Sequence, residues 1–370
     1  MTSSASASSS SRRSTTTRFN IGAAALLALA GAATPYASTF ADDAQPRDRG
    51  WILRFDNDLL KPGEKDRDYS GGAAYTRGSD DGPAGPAWFE QALDWADKVL
   101  RVPRAPSGDS RAFELGLQLF TPDDLTSEEA IPDDRPYANI LYTATSRLTV
   151  DSAHQAVYQS TLTLGVLGLP IVGNVHRAAH QLLDNPLPNG YDHQISDGGE
   201  PTFRYAFSKH RLLAHGARKE TRPYSLRFGY GASVGYLTEA NVELSFRSGP
   251  ERVAWWSPPP LSADYAGQPP IQSRRDAATV GLRGVVFEAG ATLRARVYDA
   301  FLQGQVRHSD VTFASDELNH LLLEAWLGFS IVQKNGINVG YTLRWQSAEI
   351  ADGTGSRSFS WGSLFFVRRF

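Results

Sequence analysis

Short runs in which apolar and polar residues alternate dominate this chain after residue 41, with turn residues between the runs. Residues 111–120 alternate clearly, and residues 138–150 and 155–166 form a hairpin pattern that turns at Asp151 and Ser152. Alternation with a period of two is typical of strands that bury only one face. The pattern therefore predicts an all-β protein.

The number and length of the runs favour a membrane barrel. Strands of about 9–11 residues with turns between them are typical of outer-membrane barrels, although a soluble β-sandwich also alternates. The aromatic-rich last run, 358–370, favours the barrel because a terminal strand can close it without an unpaired edge. We therefore predict a transmembrane antiparallel β-barrel of about 12 strands, with a short helix in or near the lumen. The remaining runs are 51–55, 69–77, 202–207, 224–237, 241–247, 279–288, 292–302, 321–332 and 337–347.

Two segments break the alternation with helical patterns. Residues 88–100 predict a short amphipathic helix between proline-rich ends, and residues 170–183 predict a helix that starts at a proline. A loop rich in proline and glycine covers 185–201, and a loop rich in proline, tryptophan and serine covers 249–276; barrels place their long loops on the outer side. No internal repeat is present, so residues 42–370 are expected to form one barrel domain.

The first 41 residues predict a cleaved secretory signal. Arg12, Arg13 and Arg18 precede a short apolar stretch at 21–31, and residues 39–41 offer an Ala-x-Ala-like cleavage site. The apolar stretch is shorter than the roughly 20 residues that span a membrane as a helix. We therefore expect export.

Composition excludes several function classes. The net charge is −3, and the basic residues are scattered, so no field favours nucleic acid. The chain has no cysteine, which excludes disulfides, thiolate metal sites and a cysteine nucleophile.

Three polar islands carry the candidate chemistry. Asn57 and Asp58 end the first run, and their oxygens could bind Ca²⁺, or the amide could donate to an oxyanion; an ordinary turn is the alternative. Ser70 begins the second run, where it is a nucleophile, a ligand or a structural serine. His176 and His180 share one helical face. They lack the glutamate of a zinc-protease motif, so a general base is a better hypothesis than zinc.

Together, these segments resemble the lipid A 3'-O-deacylase family of outer-membrane barrels. The resemblance lies in an ordered set of motifs that covers almost all of the mature chain. The set is F-D-N-D, D-R-D-Y-S-G-G, L-F-T-P-D-D, D-D-R-P-Y-A, L-G-V-L-G-L-P, H-R-A-A-H, N-G-Y-D-H-Q-I and the final W-G-S-L-F-F.

The resemblance implies Ca²⁺-dependent hydrolysis of an ester-linked 3'-acyl chain of lipid A, by lumen-facing residues near the outer leaflet. By position, His180 would deprotonate a water, Asp58 would bind Ca²⁺, Asn57 would stabilise the oxyanion and Ser70 would support metal or substrate. Where the family often has glutamine, this chain has His176, which we include among the catalytic residues. The implied location is the bacterial outer membrane, with lipopolysaccharide as the partner.

The sequence leaves four points open. A second acidic Ca²⁺ ligand could be Asp184, Asp192, Asp197 or Glu200. Arg135 could replace a loop lysine that some members carry, since the chain has no lysine between Lys98 and Lys209. The alternative functions are an outer-membrane phospholipase with a serine nucleophile and a non-enzymatic barrel or porin. The sequence leaves the oligomeric state open.

Overall fold

The computed structural model describes residues 50–61, 66–79, 83–104, 109–217, 223–249, 255–257, 260–271, 284–333 and 337–369. The predicted signal, residues 1–41, lies outside these ranges. None of the helices within them is long and apolar enough to cross a membrane.

Twelve antiparallel strands form a closed barrel in which each strand pairs with its sequence neighbours and β12 pairs with β1. This architecture confirms the predicted fold, including the closing role of the last strand. The strands are β1 (Gly50–Asn57), β2 (Asp68–Ser79), β3 (Ser110–Thr121), β4 (Ala138–Asp151), β5 (Ala156–Leu167), β6 (Glu200–Ala217), β7 (Pro223–Gly235), β8 (Leu237–Ser248), β9 (Gly284–Asp299), β10 (Leu321–Val332), β11 (Ile337–Gln346) and β12 (Phe359–Arg369).

Three α-helices lie in the connections. They are α1 (Ala87–Val99) between β2 and β3, α2 (Pro170–Leu182) between β5 and β6, and the single turn α3 (Ala300–Gln303) after β9. Short 3-10 helices cover Asp58–Leu60, Gly190–His193, Pro260–Ser262 and Ser315–Glu317. Because strands alternate in direction, α2 lies at one end of the barrel, and α1 lies at the other end with the start of β1 and the end of β12.

The alternation of side chains separates an inner from an outer surface of the wall. On β1, Ile52, Arg54 and Asp56 are buried, whereas Phe55 is 45% exposed. The charged Arg54 and Asp56 thus face inward and the apolar Phe55 faces outward, as in a barrel within lipid.

A described segment of the β8–β9 connection, residues 260–271, fills the lumen from the end at which β1 starts. Its backbone carbonyls accept hydrogen bonds from inward side chains: Gln159 donates to Pro269 at 2.7 Å, and Gln118 donates to Tyr265 at 3.2 Å. Tyr265 reaches far enough to pack on Tyr69. The expectation of an outer loop at 249–276 was wrong, because the polar lumen needs these carbonyl acceptors.

Ion pairs complete the lumen filling. Arg294 contacts Glu239, Asp264 and Glu324 at 2.6–2.9 Å, and all four are at most 6% exposed. A buried pair is retained only where its charges are mutually satisfied. The described residues therefore leave a packed interior rather than a wide pore.

One boundary prediction was also wrong. Residues 284–288 and 292–299 of the two predicted runs belong to the single strand β9, and residues 300–302 belong to α3. Residues 279–283 lie outside the described residues. Gly290, which lies between the two predicted runs, is mid-strand and lies against the Trp326 indole; a Cβ there would approach that ring to 2.2 Å.

Candidate active site

The first polar island ties the ends of β1 and β2 together. Asn57 accepts a hydrogen bond from the Leu59 amide at 2.8 Å and so caps the following 3-10 helix. Its side-chain amide donates to the Ser70 carbonyl at 2.7 Å. These bonds fix the position of Asp58, which is 2% exposed and accepts from the Arg67 amide at 2.6 Å.

A β-bulge places Ser70 on the outer side of the wall. Asp68 pairs with Thr121 and Gly71 pairs with Leu119, so Tyr69 and Ser70 together oppose a single residue of β3. Tyr69 turns into the aromatic lumen cluster, while Ser70 bonds the Thr121 hydroxyl at 2.5 Å. Bulges commonly redirect side chains beside active sites in this way.

Helix α2 carries the two histidines on its buried face. Pro170 occupies the first turn, where its missing N–H costs nothing. His176 and His180 follow one turn apart and are 8% and 5% exposed. Gly173 lets the helix approach Tyr191, since a Cβ there would lie 2.8 Å from the ring.

Both imidazoles direct Nε2 at one carboxylate oxygen. His180 Nε2 lies 2.7 Å and His176 Nε2 lies 3.5 Å from Asp66 Oδ2. His180 Nδ1 donates to the Pro186 carbonyl at 2.6 Å, which leaves Nε2 as the nitrogen that accepts a proton. His176 Nδ1 lies 2.9 Å from the Tyr191 hydroxyl.

The electrostatics of the two acids differ. Burial raises the pKa of Asp58 to about 8, and the neighbouring Asp66 carboxylate adds to this rise. Burial also opposes ionisation of Asp66, but hydrogen bonds from His176 and Ser70 and the charge of His180 outweigh it and lower its pKa. Asp58 Oδ1 and Asp66 Oδ1 are both buried without a hydrogen-bond partner among the described residues.

These features fit a divalent cation. Two adjacent buried carboxylates with unused oxygens repel one another, and a cation between them removes that cost. Oxygen donors are the ligands that Ca²⁺ prefers. The Nε2 atoms of the histidines and an oxygen of Asp66 also lie within 4.8 Å of one another, so the same place offers nitrogen ligands.

The site lies on the outer face of the wall, near its rim, and not in the lumen as expected. Asn57 lies two residues from the outward Phe55 and so shares its face. Asn139 likewise shares the face of Leu141, and it binds the residue that precedes α2 by accepting from the Leu169 amide at 3.0 Å. Helix α2 therefore covers the outer side of the wall.

All five predicted site residues meet here: Asn57, Asp58 and Ser70 from the β1–β2 region, and His176 and His180 from α2. The sequence hypotheses missed Asp66, although it opens the same motif as Ser70. Its partnership with the histidines depends on how α2 crosses the rim, which no local pattern encodes.

The other candidates lie elsewhere. Asp184, Asp192 and Asp197 are exposed, and Glu200 binds Ser196 and the amides of Val306 and Arg307. Arg135 is 2% exposed and pairs with Asp68 and Glu349, so it is a buried structural cation.

Comparisons with known proteins agree with this architecture. Residues 23–370 match the family model described as outer membrane protein LpxR. The solved structure of LpxR from Salmonella typhimurium is 14% identical, with a TM-score of 0.66 over 87% of this chain and 100% of that chain. No curated protein sequence matches.

Two other solved barrels are much less similar. The β domain of the Bordetella autotransporter BrkA is 10% identical, with a TM-score of 0.39 over 87% of this chain and 99% of that chain. The KdgM porin is 6% identical, with a TM-score of 0.33 over the same shares. Scores this low carry no argument about fold or function.

Proposed function

Because this chain belongs to the LpxR family of outer membrane proteins, we propose that it is a lipid A deacylase. It hydrolyses the ester of the 3'-acyl chain in the outer leaflet, with water as nucleophile, His180 as base and Ca²⁺ as electrophile. Membership confirms the resemblance noted from the motifs and the outer-membrane location. The reaction itself is our proposal.

The main observation in support of a lipid substrate is that the site lies on the outer face of the barrel wall. Soluble molecules would reach a site in the lumen, whereas lipids of the surrounding membrane would reach a site on the outer face of the wall. The exposed side of α2 is apolar as well: Ile171, Val175 and Leu182 follow the spacing of one helical stripe and are 59–86% exposed. An acyl chain beside this stripe would bring its ester close to the histidines.

The base is preset by the backbone. Because Nδ1 of His180 donates to Pro186, Nε2 is the nitrogen that faces the acids. It donates to Asp66 when the ring is protonated, and its lone pair would become available as the base when the ring is neutral and a cation holds the carboxylate. That nitrogen takes the proton of the attacking water and returns it to the departing sugar oxygen, so charge and atoms balance. General base catalysis of this kind contributes roughly 10²–10⁴-fold.

Asp58 and Asp66 would hold Ca²⁺, with Ser70 beside them. When bound, the cation polarises the ester carbonyl and lowers the cost of its oxyanion. Asn57 uses one hydrogen of its amide on the Ser70 carbonyl, and the second can donate to the same oxyanion. His176 adds positive charge next to Asp66 when protonated.

A serine nucleophile fits less well. Ser70 bonds Thr121, and the basic nitrogen of His180 contacts Asp66 instead of Ser70. A nucleophile needs its base within hydrogen-bond reach. We expect no labelling of Ser70 by a serine-reactive phosphonate, and stoichiometric labelling that blocks acyl release would establish the phospholipase-type mechanism instead.

A porin fits less well too, since the described residues pack the lumen.

The deacylase is tested by comparing acyl release from lipid A with hydrolysis of a water-soluble short-chain ester, with Ca²⁺ and with a chelator. Release from lipid A that needs Ca²⁺ supports the proposal. Ion conductance in planar bilayers without any ester hydrolysis would replace it with a pore.

The raised pKa of Asp58 predicts that Ca²⁺ binding depends on pH. The cation binds the ionised carboxylate, so affinity should rise about tenfold for each pH unit up to about 8 and then level off. Calorimetry in buffers of different ionisation enthalpy should detect the released proton. The Asp58→Asn variant is the control and should lose this proton release; an affinity independent of pH in the unmodified protein contradicts the assignment of Asp58.

The second histidine predicts inhibition by zinc. Two imidazole nitrogens and a carboxylate suit Zn²⁺, which would occupy the lone pair that His180 needs as a base. Loss of a group that only hydrogen-bonds a metal ligand lowers metal affinity roughly 10–100-fold. His176→Gln removes a ligand itself, so it should raise the zinc concentration needed for inhibition by more than this. Tyr191→Phe, which removes only that outer partner, is the matched comparison. Equal inhibition of all three proteins would exclude zinc binding by these histidines.

A further inference from the structure

Helix α1 packs on the outer face of the barrel wall. Its partner Arg147 lies six residues from Leu141 on β4, so both point to the same side, and Leu141 is exposed on the outside. The alternate residues Ile140 and Tyr142 belong to the lumen cluster. Arg147 is nevertheless only 1% exposed, because α1 covers it.

Buried polar contacts clamp the helix to the wall. Asp97 is fully buried, pairs with Arg147 at 2.7 Å and accepts hydrogen bonds from Ser160 at 2.8 Å and Tyr205 at 2.7 Å. These three partners come from β4, β5 and β6, and Tyr205 shares the outward face of Phe203. The helix thereby covers polar groups that would otherwise face hydrocarbon, where unpaired charge is costly.

Closer to the helix N-terminus, the same pattern extends to β3. Arg111 pairs with Glu90 at 3.3 Å and with Asp94 at 2.9 Å. Arg111 lies four residues from the exposed Leu115, so it also points outward. Every acid of α1 therefore faces the wall.

The opposite face of α1 is apolar and exposed. Trp88, Trp95 and Val99 are spaced by seven and four residues, which places them on one stripe. Trp95 is 69% exposed and Trp88 is 61% exposed. Gln91 and Lys98 flank the stripe and are also exposed.

We propose that this tryptophan face contacts phospholipid. The stripe continues the exposed apolar surface of the same wall, formed by Leu115, Leu141 and Phe203, and this wall is the membrane-facing surface of an outer-membrane barrel. Tryptophan suits the boundary between headgroups and acyl chains. Lys98 and Arg101, exposed at the C-terminal end of the helix, suit anionic headgroups.

The leaflet follows from the proposed function. If the histidine site faces lipid A in the outer leaflet, α1, which connects strands at the opposite end, faces the inner leaflet and its phospholipids. The contact with lipid itself does not require the enzyme activity, and the test below reads no activity. Failure of the lipid contact can therefore be distinguished from failure of the proposed deacylase activity.

The absence of cysteine makes the test direct. Single cysteines at Trp95 and Val99, with Gln91 and Lys98 as flank controls, receive a nitroxide label after reconstitution into phosphatidylethanolamine–phosphatidylglycerol vesicles. Collision with dissolved oxygen and with a water-soluble nickel complex is then measured by spin-label saturation. Labels at Trp95 and Val99 should favour oxygen by several-fold over the flank labels.

Two results would overturn the proposal. Preferential collision of the Trp95 and Val99 labels with the nickel complex would place the face in water. Spin–spin broadening that disappears on dilution with unlabelled protein would show a second copy on this face instead of lipid. In the Asp97→Ala background, the Trp95 label should become more mobile as the clamp is lost, and an unchanged line shape would contradict the clamp.

Discussion

Replacing His180 with alanine is expected to lower the rate of acyl release by about 10²–10⁴-fold. The substitution removes the only nitrogen that the backbone contact with Pro186 presets as a base. The barrel should persist, because His180 lies on a rim helix outside the strands. The rate is measured by fatty-acid release from lipid A vesicles, and folding is checked by heat-dependent migration in gels.

His154→Ala is the matched control. His154 lies on the β4–β5 turn at the opposite end, largely exposed and paired with Asp151. This variant should keep full activity. Added imidazole should restore part of the rate of acyl release in the His180→Ala variant, and it should have no effect on the His154→Ala variant. A folded His180→Ala protein with near-normal activity would remove the histidine from the reaction.

Replacing Arg135 with methionine is expected to destabilise the barrel by about 3–5 kcal/mol. The guanidinium is buried between the rings of Phe120 and Phe359 and pairs with Asp68 and Glu349. Its loss removes one positive charge from a buried cluster of acids and leaves Asp68 paired with Arg357 and Glu349 paired with Arg296. The free energy of unfolding is measured by urea denaturation in vesicles.

The same substitution should also reduce activity, because Asp68 begins the bulge that directs Ser70 outward. Arg307→Met is the control: Arg307 is exposed, and its loss should cost at most about 1 kcal/mol. Adding Glu349→Gln to the Arg135 variant should recover part of the stability. A loss below about 1 kcal/mol for Arg135→Met would contradict its role as a buried clamp.

Local patterns were sufficient for much of the fold. The hairpin of β4 and β5 was predicted because alternation and a turn are local, and the pairing of Asp151 with Ala156 confirms it. Helix α1 was predicted because its apolar residues recur at helical spacing. The unity of β9 was missed because Gly290 lies between the two predicted runs, and the Trp326 indole against which it lies belongs to a different strand.

The individual site residues were predicted more successfully than their arrangement in space. Asn57, Asp58, Ser70, His176 and His180 were identified from residue type and from motif order. Their location outside the wall was not, since the side of a strand that becomes the lumen is decided by closure. Asp66 was missed because its histidine partners are more than 100 residues away in the sequence.

The positions of the long connections between strands could also not be predicted without the tertiary structure. The β8–β9 connection reads as a polar loop, yet it enters the barrel because inward side chains such as Gln118 and Gln159 need acceptors. Likewise, the acids of α1 read as a solvated helix face until Arg111 and Arg147 are placed on the outer wall. Charge complementarity across distant strands decides both cases.

The most direct test weighs lipid A before and after incubation with the folded protein, with Ca²⁺ or with a chelator, by mass spectrometry. The account predicts loss of a single 3'-linked acyl mass, with Ca²⁺ only, and no loss with the Asp58→Asn or His180→Ala proteins. An unchanged lipid A mass with Ca²⁺, in a barrel shown to be folded, would contradict it.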